Sequence, residues 1–285
     1  MAFLRDIVSV LMVCMSYQAV LGYPQNANTG AGFPAPEQSN EQSPTVQSFS
    51  KLSTSCQLAA SSLLGGSFGQ CADLMGLVSI MESKDSIISP INDWVSQACS
   101  SAPCDQQALG SASEIIKSGC QIDLQEQSVA AVTIYSIITH YKQTRDMFCT
   151  QLKADGSFCL PSVLGNVEAQ SGEKITVSEV ISLIAGKLTR ADRAFLSVSK
   201  EAYCTDCGQA VVSQSAIMID AIAKDPAGII FDYDFISNDT VHKFTDVCGP
   251  SFGDKALPAT VRIAEPKSED SPQEDFDNAA LGSQE

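Results

Sequence analysis

Basic residues, histidine and tryptophan are scarce in this chain of 285 residues: 17 Lys and Arg stand against 33 Asp and Glu, with two histidines and one tryptophan. A formal net charge of -16 argues against charge-driven binding of nucleic acid or anionic lipid surfaces, since both need a basic patch. Two histidines leave little material for imidazole ligands or a serine-histidine triad. Beyond residue 22 no run is long and apolar enough to span a bilayer. The polar, acidic C-terminus lacks the hydrophobic tail of a glycolipid-anchor signal. No repeat of solenoid length occurs.

What the chain has in quantity is cysteine. Of the 11, Cys14 lies in a segment with the layout of a secretory signal. That segment has Arg5 near the N-terminus, the apolar run Ile7 to Val20, and small residues at Val20 and Gly22 before Tyr23-Pro24. Cleavage there, at the end of residues 1–22, is expected to remove Cys14. An uncleaved anchor is the competing reading, for which the run is short. The other ten are Cys56, Cys71, Cys99, Cys104, Cys120, Cys149, Cys159, Cys204, Cys207 and Cys248. In an oxidising compartment an even set persists as disulfides. Five bridges can be drawn in roughly 945 ways, so the pairing stays open. Cys99 and Cys104 flank a link short enough to bring their Cα atoms within bridging distance. Export also makes Asn238, in the sequon Asn238-Asp239-Thr240, a glycosylation acceptor where that loop is exposed.

Composition divides the chain. Residues 23–52, rich in Gln, Asn, Ser, Pro and Gly without periodicity, read as a disordered spacer. Residues 263–285 carry seven acids against Lys267 and read as an acidic, disordered, solubilising tail. Residues 53–262 hold the ten cysteines and nearly all the periodic apolar sequence, enough to bury a core that the bridges reinforce.

Within that segment the period is helical. One stripe is Cys56, Ala59, Ala60, Leu63 and Leu64, stopped by Gly65-Gly66. A second is Cys71, Leu74, Met75, Val78 and Met81. A third opens with Ser89 as N-cap and Pro90 at the first helical position, then Ile91, Trp94, Val95 and Ala98. Leu109, Ala112, Ile116 and Cys120 follow, with a capping box at Ser111 and Glu114 and an earlier start suggested by Asp105. Ser128 to Leu152 predicts one long helix, preferred over a strand because the pattern outruns ordinary strand length. Thr176 and Glu179 cap a stripe running to Leu188. Cys207 to Ala221 form a late helix ended by Pro226-Ala227-Gly228, and a short stretch spans Val241 to Val247. The fold class expected is mainly α, a disulfide-stapled bundle of about seven helices. If the first two helices form a tight hairpin, Cys56 and Cys71 do not pair with each other.

In their order these cysteines resemble a family of secreted fungal proteins defined as a domain of unknown function, with ten cysteines in a helical domain. The matching residues are Ser55-Cys56, Gln70-Cys71-Ala72-Asp73-Leu74, Ala98-Cys99, Cys104, Cys120 with Asp123-Leu124, and Tyr141 ahead of Cys149. They continue through Gly156-Ser157-Phe158-Cys159, Cys204-Thr205-Asp206-Cys207 and Cys248-Gly249-Pro250-Ser251-Phe252, so the likeness spans residues 55–252. It departs between Cys159 and Cys204, where the family carries a shorter link. The resemblance implies export in a fungus and supplies no catalytic residue, cofactor or ligand.

Three local patterns carry chemistry on paper. Gly65-Gly66-Ser67-Phe68-Gly69 fits a nucleophile elbow, which needs a strand before the serine; here the flanks are helical, so it reads as a helix-helix connection. His140, beside the long apolar stripe, and His242 read as structural or surface histidines. Cys204-x-x-Cys207 invites redox or zinc readings, but the strand unit and second ligand pair they need are missing, and structural bridging is expected. Asp232-Tyr233-Asp234 and Asp239 fail as a calcium loop because Ile236 and Ser237 occupy key positions. Trp94 reads as a core anchor. The sequence therefore points to an exported non-enzymatic protein, without cofactor or metal, that binds a partner in the extracellular space or the cell wall. A carrier holding an apolar ligand such as a lipid or sterol between helices, and a hydrolase of unfamiliar type, are the alternatives.

Overall fold

Helical spacing of apolar residues after residue 51 translates into helices throughout the computed structural model, which describes residues 52–81, 83–178, 198–227 and 239–266. The protein is mainly α, with eleven α-helices among the described residues. The signal segment, nearly all of the spacer and of the acidic tail, Asn238, the Asp232 loop and most of the Thr176 to Leu188 stripe lie outside them.

The N-terminal half is built from α1 (Thr54–Ser62), α2 (Ser67–Cys71), α3 (Leu74–Met81), α4 (Ile88–Ser100), α5 (Gln106–Gly119) and α6 (Gln121–Gln125). Ser53 caps α1, its hydroxyl accepting from the Cys56 N–H at 3.2 Å. Leu52, placed in the spacer by composition, is buried in the core just ahead of this cap. The second predicted stripe is cut between α2 and α3, because Asp73 takes a left-handed conformation (φ 49°). That turn exposes Met75 and buries Leu74, Leu77, Val78 and Ile80. α4 starts ahead of the predicted Ser89 cap, at Ile88, whose N–H is taken by the Ser86 hydroxyl. α5 starts at the earlier of its two candidate caps, with Asp105 Oδ1 accepting from the Ala108 N–H at 2.7 Å.

The long helix expected over Ser128 to Leu152 is three elements: α7 (Val129–Thr139), α8 (Tyr141–Phe148) and the strand β1 (Thr150–Leu152). The break falls at His140, where the Ser136 and Thr139 hydroxyls donate back to the Val132 and Tyr135 carbonyls at 2.8 and 2.9 Å. Such back-bonding bends helices. β1 pairs antiparallel with β2 (Val261–Ile263), with Gln151 opposite Arg262. Ala264 N–H donates to Cys149 O at 2.7 Å, carrying the packed chain just past residue 262. α9 (Cys159–Ser171), α10 (Asp206–Lys224) and α11 (Asp239–Cys248) complete the described helices. α10 runs through the core, with Cys207, Ala210, Val211, Gln214 and Met218 buried as its stripe predicts.

All ten cysteines are paired: Cys56–Cys120, Cys71–Cys104, Cys99–Cys149, Cys159–Cys207 and Cys204–Cys248. Cys56 and Cys71 take different partners, as the hairpin argument requires. The Cys99–Cys104 pairing, in contrast, does not form. Cys99 sits in the last turn of α4 facing Cys149 in the core, and the chain then leaves the helix extended at Ser101 (ψ 156°). This extended link carries Cys104 away to Cys71 at the end of α2. Three bridges lie within residues 56–149 and two within 159–248, and none joins the two sets. The halves are held together by β1–β2 pairing and by α8 packed on α10, where Met147 and Ser215 meet in one continuous core.

Candidate functional site

Asp73, Trp94 and Arg145 organise one side of the N-terminal half. The left-handed turn at Asp73 aims its carbonyl at α4, and the Trp94 indole N–H donates to it at 3.1 Å. Its Oδ1 accepts from the Gly76 N–H at 3.2 Å, capping α3. Oδ2 is buried without a hydrogen-bond partner. Burial therefore pushes the Asp73 carboxyl above its ordinary range, and the Gly76 bond offsets part of that rise. Only glycine suits position 76, since a Cβ would stand 2.2 Å from Asp73 Oδ2 and 2.9 Å from Trp94 Cδ1.

Next to Trp94 an apolar cleft opens between α3, α4, α7 and α8, lined by Leu74, Leu77, Trp94, Ile137, Tyr141 and Phe148. Trp94 meets Phe148 edge-on at 5.0 Å between ring centroids, and Tyr141 meets Phe68 edge-on at 6.1 Å. The Cys99–Cys149 and Cys71–Cys104 bridges fix the helix ends around it. The cavity volume of the cleft is about 40 Å³. Thr144 and Arg145 of α8 supply its polar edge.

Arg145 is half-buried. Its Nη1 donates to Ala98 O at 2.6 Å, and its Nη2 donates to Cys99 O at 3.2 Å and Ser101 O at 2.7 Å. A cation is thus set on the C-terminal carbonyls of α4, the negative end of that helix.

Of the residues singled out from sequence, Trp94, Cys99 and Cys149 line the cleft, Ser67, His140, Cys204 and Cys207 do not, and the side chain of His242 lies outside what the structure describes. Trp94 is a core anchor, as expected, and also a wall of the cleft. Ser67 is exposed at the first position of α2, after a helix and a 3₁₀ turn at Leu63–Gly65, so the glycine-serine pattern is a helix-helix connection. Gly69 is glycine because a Cβ would stand 2.3 Å from Leu63 O. His140 is buried at the α7–α8 break, its Nδ1 3.0 Å from Thr139 Oγ1. Cys204 and Cys207 belong to different bridges at the start of α10. Among the described residues no group of three His, Cys, Asp or Glu is placed to hold a metal ion, and no helix is long and apolar enough to cross a membrane. Sequence inspection missed Asp73 and Arg145. Asp73 had a signal, an Asp three residues ahead of Gly76 at a helix start; Arg145 had none, since its acceptors lie on another helix.

No family model, no curated protein and no solved structure matches the chain.

Proposed function

We propose that the protein is an exported, non-enzymatic binding module working in the extracellular space or at the cell wall. The observation that carries this reading is the complete pairing of ten cysteines across a helical core, a state that persists in oxidising compartments and is rare in the cytosol. The secretory layout of residues 1–22, the sequon at Asn238, the acidic composition and the resemblance to the secreted fungal ten-cysteine family support it. Expressed from Met1 in a fungal host, the protein is expected in the medium or the wall fraction, beginning at or near Tyr23, glycosylated at Asn238 and without a free thiol. Retention inside the cell with residues 1–22 attached would overturn the export part. Incubated with isolated cell walls, the native chain should sediment with them more than its reduced and alkylated form; equal sedimentation would count against a folded binding surface.

The cleft beside Trp94 favours a second reading, a carrier of an apolar ligand. Disulfides at the helix ends keep such a space from collapsing. At about 40 Å³ it is smaller than the ~150 Å³ engineered cavity that holds benzene. Neither a sterol ring system nor an alkyl chain fits without movement of the lining, so this reading requires the helices around the cleft to give way on binding. Organic extraction of the secreted protein followed by mass spectrometry should return a single-chain lipid at near-stoichiometric yield; none recovered would count against the carrier.

A further inference from the structure

The bridges that close this fold differ in how far solvent reaches them. Cys56, Cys99, Cys120, Cys149 and Cys159 are at most 1% exposed, Cys207 is 4% exposed and Cys104 7%. Cys71 is half-exposed, but its partner Cys104 is buried. Cys204–Cys248 is the one bridge with both residues half-exposed, and Asp246 and Val247 beside it are open to solvent. Its two sulfurs also belong to helix ends of opposite sign. Cys204 lies one residue ahead of Thr205, the N-cap of α10, whereas Cys248 is the last residue of α11. A thiolate is favoured near the positive end of a helix and disfavoured at the negative end. In thiol–disulfide exchange the sulfur that carries the charge better is the one that leaves.

We infer that Cys204–Cys248 is an exchangeable bridge, opened by a small thiol that attacks the Cys248 sulfur and expels Cys204. The incoming thiolate forms a new S–S bond to Cys248 Sγ as the Cys204–Cys248 bond breaks, and the electron pair of the broken bond leaves on Cys204 Sγ. One disulfide replaces another, so the step needs no net oxidant or reductant. What it releases is α11. No other bridge reaches that helix, which packs through Phe244, set edge-on to Tyr203 at 5.8 Å and stacked on Phe252 at 6.5 Å between ring centroids. The chain beyond α11 stays pinned: Lys255 pairs with Asp220, Ser213 Oγ donates to Ala256 O at 3.2 Å, Thr260 donates to Asp206, and β2 pairs with β1. Exchange at this bridge therefore loosens one helix in thiol-rich surroundings and leaves the core closed by the other four bridges.

The test uses the native, fully bridged protein and 2-mercaptoethanol, an uncharged small thiol, at mildly alkaline pH. Acid quenching at intervals, maleimide alkylation and a non-reducing peptide mass map show which sulfur holds the probe and which is free. Cys204–Cys248 should open at least about tenfold faster than any other bridge. At early times the probe should sit on Cys248, in peptide 244–255, and the maleimide on Cys204. In the opened protein, amide hydrogen exchange at residues 245–248 should quicken at least about tenfold, with α10 and β1 unchanged. The double variant Cys204→Ser, Cys248→Ser should show the same fast exchange at α11 without any adduct there. Should that variant fail to fold, the time course on the native protein decides alone. Earlier opening of another bridge, loss of all five together, or the probe on Cys204 with Cys248 free would overturn the assignment. Unchanged exchange at α11 after opening would overturn the release of that helix.

Discussion

Trp94 donates its indole N–H to the carbonyl of Asp73 at 3.1 Å, joining the turn between α2 and α3 to the middle of α4. The bond depends on the left-handed backbone of Asp73, a conformation that Asp and Asn tolerate better than other non-glycine residues. It also leaves the Asp73 carboxylate half satisfied, with Oδ2 buried and unpartnered.

That carboxylate makes stability depend on pH. Because burial raises its folded-state pKa above the ordinary 3.8, the folded chain holds the proton more tightly than the unfolded chain. Its contribution is therefore fully present in acid and is lost as pH climbs through the raised value. Asp73→Asn keeps an acceptor for Gly76, suits the positive φ and removes the charge. Thermal unfolding at about pH 7 should show a Tm higher by about 2–4 °C, on the order of 1 kcal/mol, and the gain should vanish near pH 3. A variant whose Tm runs parallel to the parent across that range would refute the assignment.

Two glycines on well-formed helices should respond oppositely to alanine. Gly208, in the first turn of α10, has the Tyr203 carbonyl where a Cβ would go, 1.7 Å away, so Gly208→Ala must move backbone and should cost about 1–3 kcal/mol or more. Gly110 in α5 has nothing within 4 Å of the same position. There alanine should add about 0.5–1 kcal/mol through helix propensity. Urea unfolding of both variants gives the two signs.

The start of α1 hangs on one buried acceptor. Asp123, 4% exposed, accepts from the Ser53 N–H at 2.8 Å and from the Ser53 hydroxyl, while that hydroxyl also caps α1. Ser53→Ala removes the cap and one partner of the carboxylate together, and should cost about 1–2 kcal/mol. Hydrogen exchange should quicken at Cys56 and Gln57 and stay slow at the far end of the Cys56–Cys120 bridge. Unchanged exchange at α1 would show that the bridge alone holds it.

Helix content was legible because burial imprints a 3.6-residue period on local sequence. The stripes through Trp94, Ile116 and Val211 all end up in the core. What stayed hidden was set by partners far along the chain. β1 and β2 have three residues each, too few for an alternation to show, and their register joins residues more than a hundred positions apart. The break at His140 is made by hydroxyls bonding to their own helix within an otherwise uninterrupted apolar stripe. Disulfide partners follow from helix packing rather than from proximity in sequence, which is why Cys99 passes over nearby Cys104 for Cys149. Of the cleft, Leu74, Trp94 and Ala98 were legible as members of apolar stripes, whereas the place of Arg145 is set by carbonyls at the end of a helix 44 to 47 residues earlier.

The central claim, that the ten cysteines serve as structural cross-links in this arrangement, is tested most directly by a tryptic mass map of the native, non-reduced protein. Because no bridge spans the exposed Lys153, the map should contain two separate cross-linked groups. One joins peptides 52–84, 85–117, 118–142 and 146–153, and the other joins 154–174, 201–224 and 244–255. A peptide 85–117 closed on itself through Cys99 and Cys104, a link between the two groups, or two or more free thiols under denaturing conditions would contradict it.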